Sequence, residues 1–388
     1  MSVIKERKQY QIASLMAFIL LLSSCGGSEG GSAAGGSLTG SSVTAATPAY
    51  AYVATIGTLA TYSIDPSTFA LTASGGSPLT FSVSADLGGI SRIAIDPSGQ
   101  FLYLLHTAGI YAYTINRNTG ALTQIPGSPF ESGIGLDSLA FDASGTHLYV
   151  AGSTSVVAPV NTVILSYSID SSGALVPVAS YTLSNELYTL ARAGNYLYAA
   201  GFYANSITVF SITPSGELEG VPGSPFATDV GPHSIAVDPS GSVLYAANDG
   251  GPTPNEPVPG SISAFTIDPS TGALTPVAGS PFPIAVTGAI SIDNMGRFLF
   301  VLETGGVSVY AINSPSGALS RVAGSPFSAG TDPGLVTVSP TDQTVYVADG
   351  GSADISEFTL GDTGVITPLP GSPFPIGGDA CCMAIAWK

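Results

Sequence analysis

The segment His233-Ser-Ile-Ala-Val-Asp-Pro-Ser-Gly241 and the three segments that follow it decide the fold. These are Val243-Leu-Tyr-Ala-Ala247, Ser261-Ile-Ser-Ala-Phe-Thr-Ile-Asp268 and Gly272-Ala-Leu-Thr-Pro-Val-Ala-Gly-Ser-Pro-Phe282. Short apolar runs separated by Asp, Pro, Ser and Gly are typical of strands joined by tight turns, since Asp bonds the backbone ahead, Pro presets φ and Gly accepts a positive φ. The stretch predicts a four-stranded antiparallel meander.

This unit is repeated along the chain. The tetrapeptide Gly-Ser-Pro-Phe begins at five positions: Gly127, Gly223, Gly279, Gly324 and Gly371. A near copy begins at Gly76. An aromatic residue recurs in the second strand of seven units: Tyr52, Tyr103, Tyr149, Tyr198, Tyr245, Phe300 and Tyr346. Its regular recurrence favours packing between neighbouring sheets over a carbohydrate-stacking surface. A period of about 45 to 56 residues with four strands is typical of propeller blades.

The two ends of the repeat region predict a closed ring. Tyr50–Val53 has the pattern of a second strand, and Met383–Trp387 has that of a first strand. One blade would therefore contain both termini, which removes the exposed sheet edges. We predict an all-β, seven-bladed β-propeller of four-stranded antiparallel blades over residues 48–388.

Composition and charge limit the partners. The 388 residues carry a net charge of −17, and only 9% of them are charged. A surface of this sign repels nucleic-acid backbones and anionic lipid headgroups. We therefore expect no nucleic-acid partner, and a monomeric domain whose ligand is a protein, a glycan or a small molecule.

The first residues are typical of an export signal. Lys5, Arg7 and Lys8 precede the apolar run Ile12–Leu22, which is too short to span a bilayer. Leu22-Ser-Ser-Cys25 resembles the lipobox of bacterial lipoproteins, which implies a signal peptide over residues 1–24 and lipidation of Cys25. Residues 25–47 are rich in Gly and Ser and predict a flexible tether. The expected location is the cell envelope, on the outer membrane, through a lipid anchor.

The repeat also carries a family resemblance. The succession of Asp-Pro-Ser-Gly, Leu-Tyr-Ala-Ala, Phe-Thr-Ile-Asp and Thr-Gly-Ala-Leu within Asp238–Leu274 resembles the propeller family of bacterial 6-phosphogluconolactonase and fungal carboxymuconate cyclase, and is similar to YVTN-type propellers. The resemblance covers all seven predicted blades. It implies hydrolysis of a sugar lactone near the central channel. No catalytic His, Arg and Glu set of that family is matched here.

A candidate site follows from the register of the repeats. Propeller ligands meet the loops that lead into the innermost strands. The position just before each innermost strand is predicted to hold these residues: Ser91, Asp137, Glu186, His233, Gly288, Gly334 and Cys381. Arg92 follows the first of them. The ligand-binding candidates are Ser91, Arg92, Asp137, Glu186, His233 and Cys381.

Two chemistries suit this cluster. In a hydrolase, His233 or Glu186 would act as general base toward water, and Arg92 would stabilise the developing oxyanion. In a metal site, Asp137, Glu186 and His233 would hold Ca²⁺, Mn²⁺ or Zn²⁺, although the sequence requires no cofactor. We expect a binding module at the channel mouth, with a lactonase-like hydrolase as the alternative.

Two local features lie close to these candidates. Cys381 and Cys382 are adjacent, and because neighbouring side chains in a strand point to opposite faces, we expect buried free thiols rather than a bridge. Residues 249–259 are an insertion rich in proline, in which Asp249, Asn255 and Glu256 are calcium-ligand candidates without the spacing of an EF-hand loop.

Overall fold

The computed structural model describes residues 49–74, 76–82, 89–153, 161–183, 187–252 and 257–386. The predicted signal peptide, Cys25 and the tether lie outside the described residues, as do Glu186, Asn255 and Glu256. The described elements are strands joined by turns. No helix in the described part of the chain is long and apolar enough to cross a membrane.

Seven four-stranded antiparallel sheets form the fold, as the repeats predict. Six are continuous in sequence and are called blades 1 to 6, beginning at Ile90, Gly135, Leu187, Pro232, Val286 and Pro333. The seventh, the closing blade, combines Ala380–Ala386 from the end of the chain with three strands from its beginning. The predicted closure by both termini is confirmed.

The strands of each blade run outward from the centre of the ring. The innermost strands are Ile90–Ile95, Gly135–Phe141, Leu187–Ala193, Pro232–Val237, Val286–Ile292, Pro333–Val338 and Ala380–Ala386. The second strands are Phe101–His106, His147–Ser153, Tyr196–Gly201, Val243–Asn248, Phe298–Glu303, Thr344–Asp349 and Ala49–Thr55. Each innermost strand contacts the innermost strands of both adjacent blades, so these strands close the ring around the channel.

The fourth strand is short in six of the seven blades, where it has three or four residues. The third strands are Gly109–Ile115, Thr162–Ile169, Ser206–Ile212, Ser261–Ile267, Gly306–Asn313, Asp354–Leu360 and Thr58–Ile64. The fourth strands are Leu122–Gln124, Leu175–Leu183, Leu218–Gly220, Leu274–Pro276, Ala318–Arg321, Ile366–Pro368 and Leu71–Ala73. Two-residue strands continue five of the blades at Phe226–Ala227, Phe282–Pro283, Phe327–Ser328, Phe374–Pro375 and Leu79–Thr80, and the insertion forms a hairpin of Gly251–Pro252 and Pro257–Val258.

The Gly-Ser-Pro-Phe repeat joins the two parts of the outer edge. Its Ser hydroxyl accepts a hydrogen bond from a backbone N–H of the third strand, for example Ser280 from Ala264 at 2.9 Å. Its Phe then begins the two-residue strand, as Phe282 does opposite Ile262. In blade 2 the motif is replaced by Ser180–Leu183, and the fourth strand runs unbroken over Leu175–Leu183. The serine of the motif therefore takes the place of a backbone acceptor at the point where the fourth strand is interrupted.

The recurrent second-strand aromatics join neighbouring blades. Their rings are almost fully buried, and six of them carry a hydroxyl that donates to a backbone carbonyl of the next blade. The pairs are Tyr52 to Gly120, Tyr103 to Gly173, Tyr149 to Gly216, Tyr198 to Gly272, Tyr245 to Gly317 and Tyr346 to Phe69. This confirms the predicted packing role and adds a hydrogen bond, which a buried tyrosine hydroxyl requires.

Candidate functional site

The innermost strands all carry a β-bulge close to their start. Their pairing with the second strand skips one residue in six of the blades: Ser91, Asp137, Tyr188, His233, Gly334 and Cys381. In blade 5 the shift lies between Val286 and Ile290 and so includes Gly288. A bulge re-aims side chains and is frequent beside functional sites. The bulges therefore form a ring of irregular backbone at one mouth of the channel.

This ring corrects the predicted positions in two ways. Six of the seven candidate residues, all except Glu186, lie within the first part of the innermost strands, not before them. In blade 3 the bulge falls at Tyr188, two positions after the predicted Glu186. The two motifs that mark turns elsewhere in the repeat, Gly-Ser-Pro-Phe and Asp-Pro-Ser-Gly, are both absent on either side of this strand, so the sequence does not fix its register. The site roles predicted for Glu186 stay a prediction.

Arg92 is the buried cation of the mouth. Its residue is 7% exposed, and its Nη1 donates to the carbonyl oxygen of Ser91 at 3.0 Å. Burial lowers the pKa of the Arg92 guanidinium, whereas Cys382, Cys381 and Asp137 nearby raise it. Because arginine starts from so high a pKa, the group remains a cation. It places a fixed positive charge between the closing blade and blade 2.

Ser91 and Asp137 belong to the same side of the ring as Arg92. The Ser91 hydroxyl donates to the carbonyl oxygen of Leu136 at 2.7 Å, which joins blade 1 to blade 2. Asp137 is half-buried, and its Oδ2 accepts a hydrogen bond from the Ser153 hydroxyl at 3.2 Å. A carboxylate that is close to a cation but still reached by solvent can accept a proton from a bound water.

His233 is held between two acceptors in blade 4. Its Nε2 donates to the carbonyl oxygen of Gly288 at 2.8 Å, and its Nδ1 lies 2.9 Å from Asp249 Oδ1. A carbonyl oxygen only accepts, so a ring that also donates to the carboxylate is an imidazolium. Burial alone lowers the pKa of His233, but Asp249 and the Gly288 carbonyl outweigh it, and the net pKa is raised. The arrangement favours a fixed cation over a general base.

The two cysteines differ from the expected geometry. Both are buried thiols, but the bulge at Cys381 breaks the alternation of side chains, and the Cys381 and Cys382 sulfurs lie 2.8 Å apart. The inference that they point to opposite faces is wrong for this reason. Cys381 Sγ also donates to the carbonyl oxygen of Ala54 at 3.4 Å.

Each of the two predicted metal sites includes a residue outside the described part of the chain, Glu186 in one and Asn255 and Glu256 in the other. No group of three or more His, Cys, Asp or Glu among these residues could hold a metal ion. Asp137 and His233 lie in blades 2 and 4, which are not adjacent. In the insertion, Asp249 pairs with His233. The described part of the chain gives the metal hypothesis no further support.

Sequence reasoning missed Asp249 as the partner of His233. The signal was the insertion itself, which directly follows the second strand Val243–Asn248. The end of that strand pairs with the start of the innermost strand, since Asn248 lies opposite Pro232. An acidic residue placed just after it reaches the bulge on the same face.

Known proteins with the same fold are similar to this chain. A family model described as "Lactonase, 7-bladed beta-propeller" matches residues 90–287. The periplasmic gluconolactonase of Pseudomonas aeruginosa has a similar structure, with 18% identity, a TM-score of 0.68 and coverage of 88% of this chain and 99% of that chain. A candidate 6-phosphogluconolactonase from Bacteroides uniformis is also similar, with 14% identity, a TM-score of 0.69 and coverage of 87% of this chain and 99% of that chain. No curated protein sequence matches.

Proposed function

Because the chain belongs to the seven-bladed β-propeller lactonase family, we propose that it hydrolyses an uncharged sugar lactone at the bulge ring. The observation that carries the proposal is the buried Arg92 guanidinium with the half-buried Asp137 carboxylate near it. A fixed cation and a proton acceptor on adjacent blades are the two groups that ester hydrolysis needs.

The chemistry assigns one role to each group. A water molecule held by Asp137 attacks the lactone carbonyl carbon and gives its proton to the carboxylate. Arg92 stabilises the oxyanion of the tetrahedral intermediate. The ring C–O bond then breaks, the leaving ring oxygen takes a proton, and the product is an open hydroxy acid. His233 is paired with the Asp249 carboxylate, so it is assigned no role in these steps.

Charge favours an uncharged substrate. The net charge is −17, with only nine Lys and Arg residues against 26 Asp and Glu. A phosphorylated lactone would approach against this field, and the described residues of the mouth do not include the clustered arginines that phosphate recognition uses. The periplasmic gluconolactonase among the similar structures carries a matching name. The predicted export of this chain agrees with that substrate class.

The test measures acid release from D-gluconolactone by the purified protein, with the spontaneous rate subtracted. Arg92→Gln and Asp137→Asn are expected to lower kcat/KM by about 100-fold each. Arg117→Gln is the matched control, because Arg117 is exposed in a turn between third and fourth strands, away from the bulge ring. Wild-type protein without turnover, or variants with unchanged turnover, would contradict the proposal.

A binding module is the second candidate. It is favoured by His233, whose two ring nitrogens are both engaged, so the predicted base is tied into the structure. In that case D-gluconolactone or its open acid would bind without being turned over. Isothermal titration separates the two candidates, since binding that is abolished by Arg92→Gln without any acid release supports the module.

We also propose that Cys25 anchors the protein to the cell envelope. The support is the sequence Leu22-Ser-Ser-Cys25 after a short apolar run. Replacement by Cys25→Ala should move the protein from the membrane fraction to the soluble fraction. Continued membrane association of that variant would contradict lipid anchoring.

A further inference from the structure

Two adjacent thiols lie in the strand that closes the ring. Cys381 and Cys382 are 5% and 1% exposed, at the start of Ala380–Ala386. Cys382 pairs with Ala54 and Ala380 with Thr55, so Cys381 occupies the bulge between them. This bulge brings the two sulfurs to 2.8 Å, whereas an ordinary strand would direct them to opposite faces.

We propose that Cys381 and Cys382 are a redox site that closes reversibly to a vicinal disulfide. The sulfur separation of 2.8 Å exceeds a disulfide bond length of about 2.05 Å by less than 1 Å, so closure needs little movement. Because Cys381 already occupies a bulge, the strand does not have to break further backbone pairing to form the bond.

Groups on two neighbouring blades fix the sulfurs. Cys381 Sγ donates to the Ala54 carbonyl oxygen within the closing blade. The backbone N–H of Ile93 in blade 1 lies close to Cys382, and the Arg92 guanidinium lies close to both thiols. Burial raises the pKa of the Cys382 thiol well above its usual value, as do its hydrogen bond to Cys381 and the charge of that group, and Arg92 and the Ile93 N–H offset only part of this rise. Arg92 therefore reduces, but does not remove, the cost of forming the thiolate that exchange requires.

The reaction is thiol–disulfide exchange with a low-molecular-weight disulfide, RSSR. One cysteine thiolate attacks a sulfur of RSSR, forms a mixed disulfide and releases one RSH after proton transfer. The second cysteine then attacks the protein sulfur of that mixed disulfide and releases the other RSH. The two cysteines lose two protons and two electrons, and the two RSH molecules gain them.

The test uses the full chain and oxidised glutathione as the probe. After incubation, the protein is denatured in N-ethylmaleimide and digested with trypsin. The tryptic fragment Val322–Lys388 contains Cys381 and Cys382 and no other cysteine, so Cys25 does not interfere. The fragment should carry no maleimide and no glutathione, be lighter than the dithiol form by two hydrogens, and take up two labels after reduction.

Other products would overturn the proposal. Two maleimide labels in the oxidised sample, a stable glutathione adduct or a fragment linked to a second chain would each show that the vicinal disulfide does not form. Protein unfolded in urea is the matched control, because its backbone no longer holds the bulge, and mixed glutathione disulfides should predominate there. Equal closure in the folded and unfolded chain would show that the fold does not prepare the pair.

Discussion

The Tyr346 hydroxyl donates to the carbonyl oxygen of Phe69 at 3.3 Å, across the joint between blade 6 and the closing blade. At the other five tyrosine joints the acceptor is a glycine with φ between 70° and 85°. Phe69 adopts the same region with φ of 61°, where a side chain is strained. The acceptor carbonyl therefore requires a left-handed residue, whatever its side chain.

Replacing Phe69 by glycine should stabilise the closing blade. The left-handed backbone costs a non-glycine residue about 1–2 kcal/mol, and only part of this is returned by the half-buried ring. We expect Phe69→Gly to raise the free energy of unfolding by about 1 kcal/mol in urea denaturation.

Gly120→Ala is the control in the opposite sense. Gly120 has φ of 70°, and an added Cβ would clash with the ring of Tyr50. It should lower stability. A loss of stability in Phe69→Gly would show that the packing of the phenyl ring outweighs the backbone strain.

One joint lacks the hydroxyl, and restoring it gives a second prediction. Phe300 occupies the equivalent position in blade 5 and is fully buried, and the equivalent acceptor is Gly364, with φ of 82°. Phe300→Tyr should add a hydrogen bond worth about 0.5–1.5 kcal/mol, seen as a higher urea midpoint. A fall in the midpoint would mean that the new hydroxyl is buried without its acceptor.

Much of this architecture could be predicted because it repeats. The blade number follows from an aromatic residue that recurs at the same position in seven repeats. The ring closure follows from the strand patterns at both ends of the repeat region. The candidate site was harder to predict from the sequence, since no residue type marks the position of a β-bulge. Ser91, Asp137 and His233 were placed at the mouth, but the cysteine geometry was wrong because Cys381 lies in a bulge. The pairing of His233 with Asp249 depends on an insertion that has no copy in the other blades.

Glu357 predicts a loss of stability as the pH rises. It is 3% exposed, and burial raises its pKa from 4.5 to about 7. Since the folded-state pKa lies above the unfolded one, the stability is fully present below about pH 4.5 and is lost as the pH rises through about 7. Melting temperatures measured between these limits should fall in the wild type and change less in Glu357→Gln.

A second buried carboxyl sets the comparison for that experiment. Burial raises the pKa of Asp349 to about 6, so it contributes a similar loss over a lower range of pH. Asp349→Asn should therefore remove the lower part of the slope and leave the upper part. Identical pH profiles for the wild type and Glu357→Gln would contradict a buried, neutral Glu357.

The pairing of His233 with Asp249 gives the last prediction. The pKa of His233 is raised because Asp249 and the Gly288 carbonyl outweigh burial, so the imidazolium should persist above the ordinary value of 6.5. Asp249→Asn removes the charge and leaves burial to dominate, and the pKa should then fall below that value. Titration of the His233 ring signals by NMR measures the pKa in the wild type and in the variant, with Asp268→Asn, an exposed turn carboxylate, as the matched control.

Since a raised histidine pKa stabilises the fold at low pH and the effect is lost as the pH rises through that pKa, Asp249→Asn should also destabilise the protein more at pH 5 than at pH 9. Equal losses at both pH values would show that the contact is a neutral hydrogen bond and that His233 is not a fixed cation.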